Sequence, residues 1–186
     1  MRLFVALELP AEVRTALAAW GDGAAPAVMR RTPAENLHVT LAFLGARAAA
    51  DAEADAEAVA GVVAAVARPV GVLEVDGALW LPRGRPGVLT VALRAGPQLA
   101  ALHAALVAGL RAAIDWEPER RPLRPHVTVA RARRGERLRA TELVAPPALA
   151  FAPKALVLYR SLTGAGGARY EALARAEVGV GDERQR

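Results

Sequence analysis

The chain has no cysteine among its 186 residues, which excludes disulfides and any metal or redox site built on thiolates. Aromatic residues are scarce at 4%, so a core must come mainly from Leu, Val and Ala. Lys154 is the only lysine, and the net charge of +5 is therefore carried by arginine. No apolar stretch approaches the roughly 20 residues that a membrane-spanning helix needs. The opening MRLFVALELPAEV is interrupted by Glu8 and lacks a small-residue cleavage site, so neither a signal peptide nor an anchor is expected. No heptad and no exposed apolar strand asks for a partner. A cytoplasmic monomer without contact to a membrane is the expectation.

What is present is the composition of a globular protein, 54% hydrophobic and 23% charged, without a low-complexity tract. Eight arginines crowd one region: Arg120, Arg121, Arg124, Arg131, Arg133, Arg134, Arg137 and Arg139. Such a run suits an anionic partner, but it is more often a solvated face, and arginine beside abundant Ala, Gly and Pro also follows from GC-rich coding. Charge alone assigns no function.

The hydrophobic pattern alternates strands and helices. Residues 2–8 alternate as a strand, and Pro10 stands where a first helical turn begins. Val13, Leu17 and Trp20 then recur at helical spacing, and 37–44 reads as a second strand. Asp51 is placed to cap a helix to about Ala67. Strand patterns at 70–81 and 88–93 flank the breaker-rich PRGRPG. Leu99, Leu102, Leu106 and Leu110 define an amphipathic helix over 97–114. A strand at PHVTVAR, a charged segment with a possible helix to about Leu143, and two strands around TGAGG complete the chain. No linker divides it. The expected architecture is α+β: residues 1–178 as a single bilobal domain of two intertwined lobes, each a largely antiparallel sheet with outer helices, and 179–186 as a flexible tail.

Two segments echo each other. Residues 37–42 read LHVTLA and residues 125–130 read PHVTVA. Each sets H-x-T in a short apolar strand, and together they hold two of the chain's three histidines. Because side chains alternate along a strand, His38 and Thr40 share one face while Val39, Leu41 and Phe43 take the other. His126 and Thr128 likewise face away from Val127 and Val129. Two such faces opposed across a cleft suit in-line displacement at phosphorus, where a base is needed on one side and an acid on the other. Imidazoles titrating near pH 6.5 can fill both roles, and hydroxyls one strand step away can donate to non-bridging oxygens as charge builds on them. A phosphodiester's single negative charge can be met by such groups and an Arg or His cation, without Mg²⁺. His103 lies on the edge of the leucine stripe and reads as a helix-face residue without a catalytic role. Zinc is disfavoured by the lack of cysteine, H-x-x-x-H spacing or a nearby carboxylate motif.

RLFVALELP, ENLHVTLAFLG, RPLRPHVTVAR and LVLYRSLTGAGGARYEAL, in that order over most of the chain, resemble the 2H phosphoesterases. Within them they are most similar to the RNA 2′,3′-cyclic phosphodiesterases, also called 2′–5′ RNA ligases. The resemblance implies a pseudo-symmetric bilobal fold with the two motifs facing each other across a central cleft. It implies hydrolysis of a terminal 2′,3′-cyclic phosphate on RNA or a nucleotide to a 2′-phosphomonoester, with reversible 2′–5′ ligation in some members and no cofactor. Carried over by position, His38 is the proton donor to the leaving 3′ oxygen and His126 the proton acceptor that activates water, though the near-symmetry permits the reverse. Thr40 and Thr128 hold the phosphate. Arg131 matches a basic residue that follows the second motif, but strict alternation puts it on the apolar face. For base stacking, Phe43, Trp80 and Tyr159 are candidates by residue type alone, and Arg83 and Arg85 could border the cleft.

Two other functions fit the same residues. One is a related phosphodiesterase acting on 2′–5′ oligoadenylate or an ADP-ribose cyclic phosphate, since both histidines see only the phosphate. The other is a non-catalytic RNA or nucleotide binder using the arginine-rich segment, whose affinity would fall steeply with salt.

Overall fold

A computed structural model describes residues 1–48, 50–82, 86–133, 135–136, 138–164 and 167–179. The early elements are β1 (Arg2–Glu8), α1 (Ala11–Ala24), β2 (Met29–Arg31), a 3₁₀ turn at Ala34–Asn36 and β3 (His38–Ala46). Then come α2 (Ala52–Val66), β4 (Leu73–Leu81), β5 (Val88–Ala95) and α3 (Pro97–Ala113). The chain closes with β6 (His126–Ala132), β7 (Ala150–Phe151), β8 (Ala155–Gly164) and β9 (Gly167–Glu177).

The strands run β7-β4-β5-β6-β3-β1-β8-β9, with β2 added to β6. Every pairing is antiparallel. Where two sheets are expected, the strands form one continuous sheet, whose halves join between β3 and β6 through the pair Val39–Val127. Each half therefore contributes its histidine strand to the seam. Helix α1 follows β1 in one half but packs on β6 and β2 of the other, while α2 packs on β8, β9 and α3. The lobes are intertwined in this literal sense.

Burial follows the pattern of the sequence. Val5, Leu7, Leu89 and Val91 are fully enclosed, as are Leu102, Leu106 and Leu110 from the α3 stripe. Burying a Leu side chain contributes about 1.5–3 kcal/mol, so this stripe fixes α3 in place. A Cβ on Gly109 would come 2.7 Å from Cγ1 of Val62; glycine is what lets α2 and α3 approach this closely.

Two further expectations are corrected. Asp51 precedes α2, but its backbone is helical and its side chain makes no capping hydrogen bond. No helix forms among the described residues between β6 and β7. Carbonyls of this segment serve other partners instead: Trp80 Nε1 donates to Thr141 O and Val75 N to Leu149 O. The short strands β2 and β7 carry no pattern long enough to read. Arg83, Arg85, Arg134, Arg137, residues 165–166 of the glycine-rich turn and tail residues 180–186 lie outside the described residues.

Candidate active site

The seam between β3 and β6 carries the site. In each strand the His and Thr of the H-x-T motif are half-buried while the intervening valine is fully enclosed. Continuing the Val39–Val127 register one residue each way sets His38 beside Thr128 and Thr40 beside His126. The strands thus present two imidazoles and two hydroxyls to one face, as the alternation requires.

Both rings are oriented in the same way. His38 Nδ1 lies 2.7 Å from the carbonyl of Asn36, and His126 Nδ1 lies 2.8 Å from that of Arg124. A carbonyl only accepts, so Nδ1 is the protonated nitrogen in each, and Nε2 is the one presented for chemistry. At His38 the Thr40 hydroxyl donates to Nε2 over 3.0 Å. Asn36 is itself anchored: its side-chain amide donates to Ala168 O over 2.8 Å, tying the turn before β3 to β9.

The two histidines differ in surroundings. His38 packs against Phe4, ring centroids 4.9 Å apart, and meets Tyr170 edge-on at 5.3 Å. Burial pushes its pKa down from 6.5 to about 4. The hydrogen bond to Asn36 opposes this fall, and the positive charges of Arg131 and His126 add to it. In the ligand-free site His38 is therefore neutral at pH 7.

Arg131 stands on the site's face, not the apolar one, and Phe43 does the same. The cause is a β-bulge in each strand. Opposite β1, Thr40 pairs with Ala6 and Ala42 with Val5, leaving Leu41 as the extra residue. Opposite β5, Thr128 pairs with Thr90 and Ala130 with Leu89, leaving Val129 extra. A bulge shifts all following side chains to the other face. Hence Leu41 and Ala42 are both buried, as are Val129 and Ala130, and the next residue of each strand is exposed. Phe43 is 55% exposed and lies 6.1 Å from Phe4.

Of the other stacking candidates, Trp80 is core, with its indole N–H committed to Thr141. Tyr159 stacks on Phe4 at 5.2 Å within the aromatic group around His38. His103 lies half-buried on α3 against the backbone of Leu41, a residue of the buried face, and burial lowers its pKa. Sequence reasoning missed Phe4, Asn36, Tyr170 and Arg30. The last three line a cavity beside His38 together with Arg31, Thr32 and Arg131. No three His, Asp or Glu side chains cluster as a metal site among the described residues, and no described helix is long and apolar enough to cross a membrane.

Comparison with known proteins gives the family and the fold. The family model described as the 2′-5′ RNA ligase superfamily matches residues 4–165, a span that includes both motifs. The RNA 2′,3′-cyclic phosphodiesterase of Escherichia coli strain K12 is 32% identical over 180 residues, 94% of either chain. The crystal structure of E. coli LigT complexed with 3′-AMP superimposes with a TM-score of 0.77 at 28% identity, covering 95% of this chain and 97% of that one. That of TT0787 from Thermus thermophilus also gives 0.77, at 26% identity over 96% and 98%.

Proposed function

Because the chain belongs to the 2′-5′ RNA ligase superfamily, we propose that it opens RNA-terminal 2′,3′-cyclic phosphates to 2′-phosphomonoesters, with His38 and His126 as acid and base. The observation that carries this reading is the matched pair of imidazoles on two adjacent antiparallel strands. Each is locked by a backbone carbonyl at Nδ1, so that each offers Nε2 to the cleft.

In the reaction, Nε2 of His126 takes a proton from water as the water oxygen bonds to phosphorus. The bond from phosphorus to the 3′ oxygen breaks on the opposite side, and His38 donates its Nε2 proton to that oxygen. His38 leaves neutral and His126 protonated, and exchange with solvent resets them. Thr40, Thr128 and Arg131 meet the non-bridging oxygens, where charge concentrates in the transition state. The donor role requires a proton on His38, which the empty site disfavours; the incoming phosphate anion supplies the missing counter-charge. With a 5′-hydroxyl attacking in place of water and the 3′ oxygen again leaving, the same pair would perform 2′–5′ ligation; run backwards, it would cleave that linkage to the cyclic phosphate. Exposed Phe43 offers a face on which the terminal base stacks.

The test is incubation with a cyclic-phosphate-ended oligonucleotide in excess EDTA, resolving 2′- from 3′-phosphate product. His38→Ala and His126→Ala should each lose about 10²–10⁴-fold in turnover with the fold retained. Full activity in either folded variant refutes the assignment. Turnover of 2′–5′ oligoadenylate or an ADP-ribose cyclic phosphate, but not of RNA ends, would move the substrate to the second reading.

A further inference from the structure

The cavity beside His38 contains a juxtaposition that hydrolysis of the terminal phosphate does not use. Arg30 on β2 and Arg131 on β6 are direct cross-strand partners, so both guanidiniums project from the same face into one cavity. Like charges placed this way repel, and no Asp or Glu lines the cavity. Among the described residues neither side chain has an ion pair, whereas Arg94, Arg160 and Arg175 are all matched with carboxylates. The third cation of the cavity is differently employed. Arg31 donates to the carbonyls of Asp22, Ala25, Pro26 and Met29, holding together the loop between α1 and β2. Arg31 builds the wall, and Arg30 is left facing the cavity.

The geometry points to Arg30 as the ligand of a second phosphate: the phosphodiester on the 5′ side of the terminal nucleoside. This rests on the hydrolase reading for its direction. Arg131 serves the reacting phosphate next to His38; β5 occupies the other edge of β6, so β2 lies on the same edge as β3, and Arg30 sits beside Arg131 at the end of the seam away from His126. Neighbouring strands are about 4.8 Å apart, a separation that two long guanidinium side chains span to meet consecutive phosphates of one RNA strand. The Thr32 hydroxyl and Tyr170 in the same cavity offer a further donor and a ring surface to the linking ribose. The preferred substrate is therefore an oligonucleotide end carrying at least one internal phosphodiester, not a free cyclic mononucleotide.

The experiment compares kcat/KM for a nucleoside 2′,3′-cyclic phosphate and for a trinucleotide with the same end, in wild type, Arg30→Gln and Arg30→Lys. In parallel, fluorescence anisotropy follows binding of a trinucleotide ending in a 2′-phosphate as salt is varied. Wild type should favour the trinucleotide. Arg30→Gln should lower the trinucleotide-to-mononucleotide ratio about tenfold through KM, and reduce the slope of log affinity against log salt by about 0.7, the value for one single-strand phosphate contact. Arg30→Lys, retaining the charge, should recover most of both. An equal loss on the two substrates, or an unchanged ratio in Arg30→Gln, overturns the proposal while leaving the hydrolase reading intact. If wild type turns over neither substrate, the hydrolase reading fails, and the salt slope still decides whether Arg30 holds a phosphate.

Discussion

Ligand binding should put a proton on His38. In the empty site its pKa is pushed down to about 4, first by burial and then by the charges of Arg131 and His126. Only about one molecule in a thousand is then protonated there at pH 7. A phosphodiester monoanion seated about 4 Å from the ring interacts with the imidazolium by about 4 kcal/mol at an effective dielectric near 20. That is about three pKa units, enough to carry His38 from about 4 to near neutrality. The sign follows from linkage: the complex holds the proton below about pH 7 and the free protein only below about pH 4. Between these limits affinity should strengthen about tenfold for each unit the pH is lowered. A slowly hydrolysed cyclic phosphorothioate, whose own charge is constant over this range, is the suitable ligand. The assay is NMR titration of the imidazole Cε1–H resonances, assigned with His38→Gln, beside calorimetric affinities from pH 5 to 8. A free His38 titrating near 6.5 would refute the desolvation argument. A low pKa unmoved by ligand would refute the donor role, making His38 the base and His126 the acid.

Arg131→Gln should have two opposite effects: the pKa of ligand-free His38 rises because a repelling cation is gone, while affinity for the phosphorothioate falls, both read in the same titration. Phe43→Ala should weaken an oligonucleotide end by about tenfold, the scale of one base–aromatic stack, with thermal stability unchanged because the ring is exposed. Gly109→Val should destabilise the fold by about 1–3 kcal/mol, since its Cβ collides with Val62 on α2. Denaturant unfolding checks this, and unaltered stability would mean that the two helices can separate without cost.

The histidine strands were legible because a strand's alternation is local: His38 and Thr40 must share a face wherever the strand is placed. Arg131 and Phe43 were misplaced because alternation was continued through a bulge. A trace of it was present in the doubled apolar pairs Leu41–Ala42 and Val129–Ala130, each at the same distance after its histidine. Two consecutive buried residues in a strand that otherwise alternates imply an extra residue, and alanine in the second position accommodates the crowding. Arg30, Asn36 and Tyr170 left no comparable trace. They reach the site through the pairing of β2 with β6 and through the Asn36–Ala168 hydrogen bond, contacts between segments far apart in the chain. A three-residue strand has no periodicity to read.

The near-two-fold arrangement also bears on how two identical motifs would take the different roles proposed for the two histidines. Both rings present Nε2 through the same backbone device, and both strands bulge at the same step, so backbone geometry gives neither histidine a distinct role. The distinction comes from what stands around them. Equivalent positions after the bulges hold Phe43 on β3 and Arg131 on β6, and because the strands are antiparallel these residues lie at opposite ends of the seam. One end offers an aromatic surface to a base and the other offers cations to phosphate. A strand of RNA is equally asymmetric, with a terminal nucleoside on one side of the reacting phosphorus and further phosphodiesters beyond its 5′ carbon. On the proposed reaction, matching the two polarities would fix which way the substrate enters, and hence which oxygen of the cyclic phosphate faces His38. In that reaction substrate orientation would decide which histidine is acid and which is base, set by Phe43, Arg131 and Arg30 rather than by the histidines themselves.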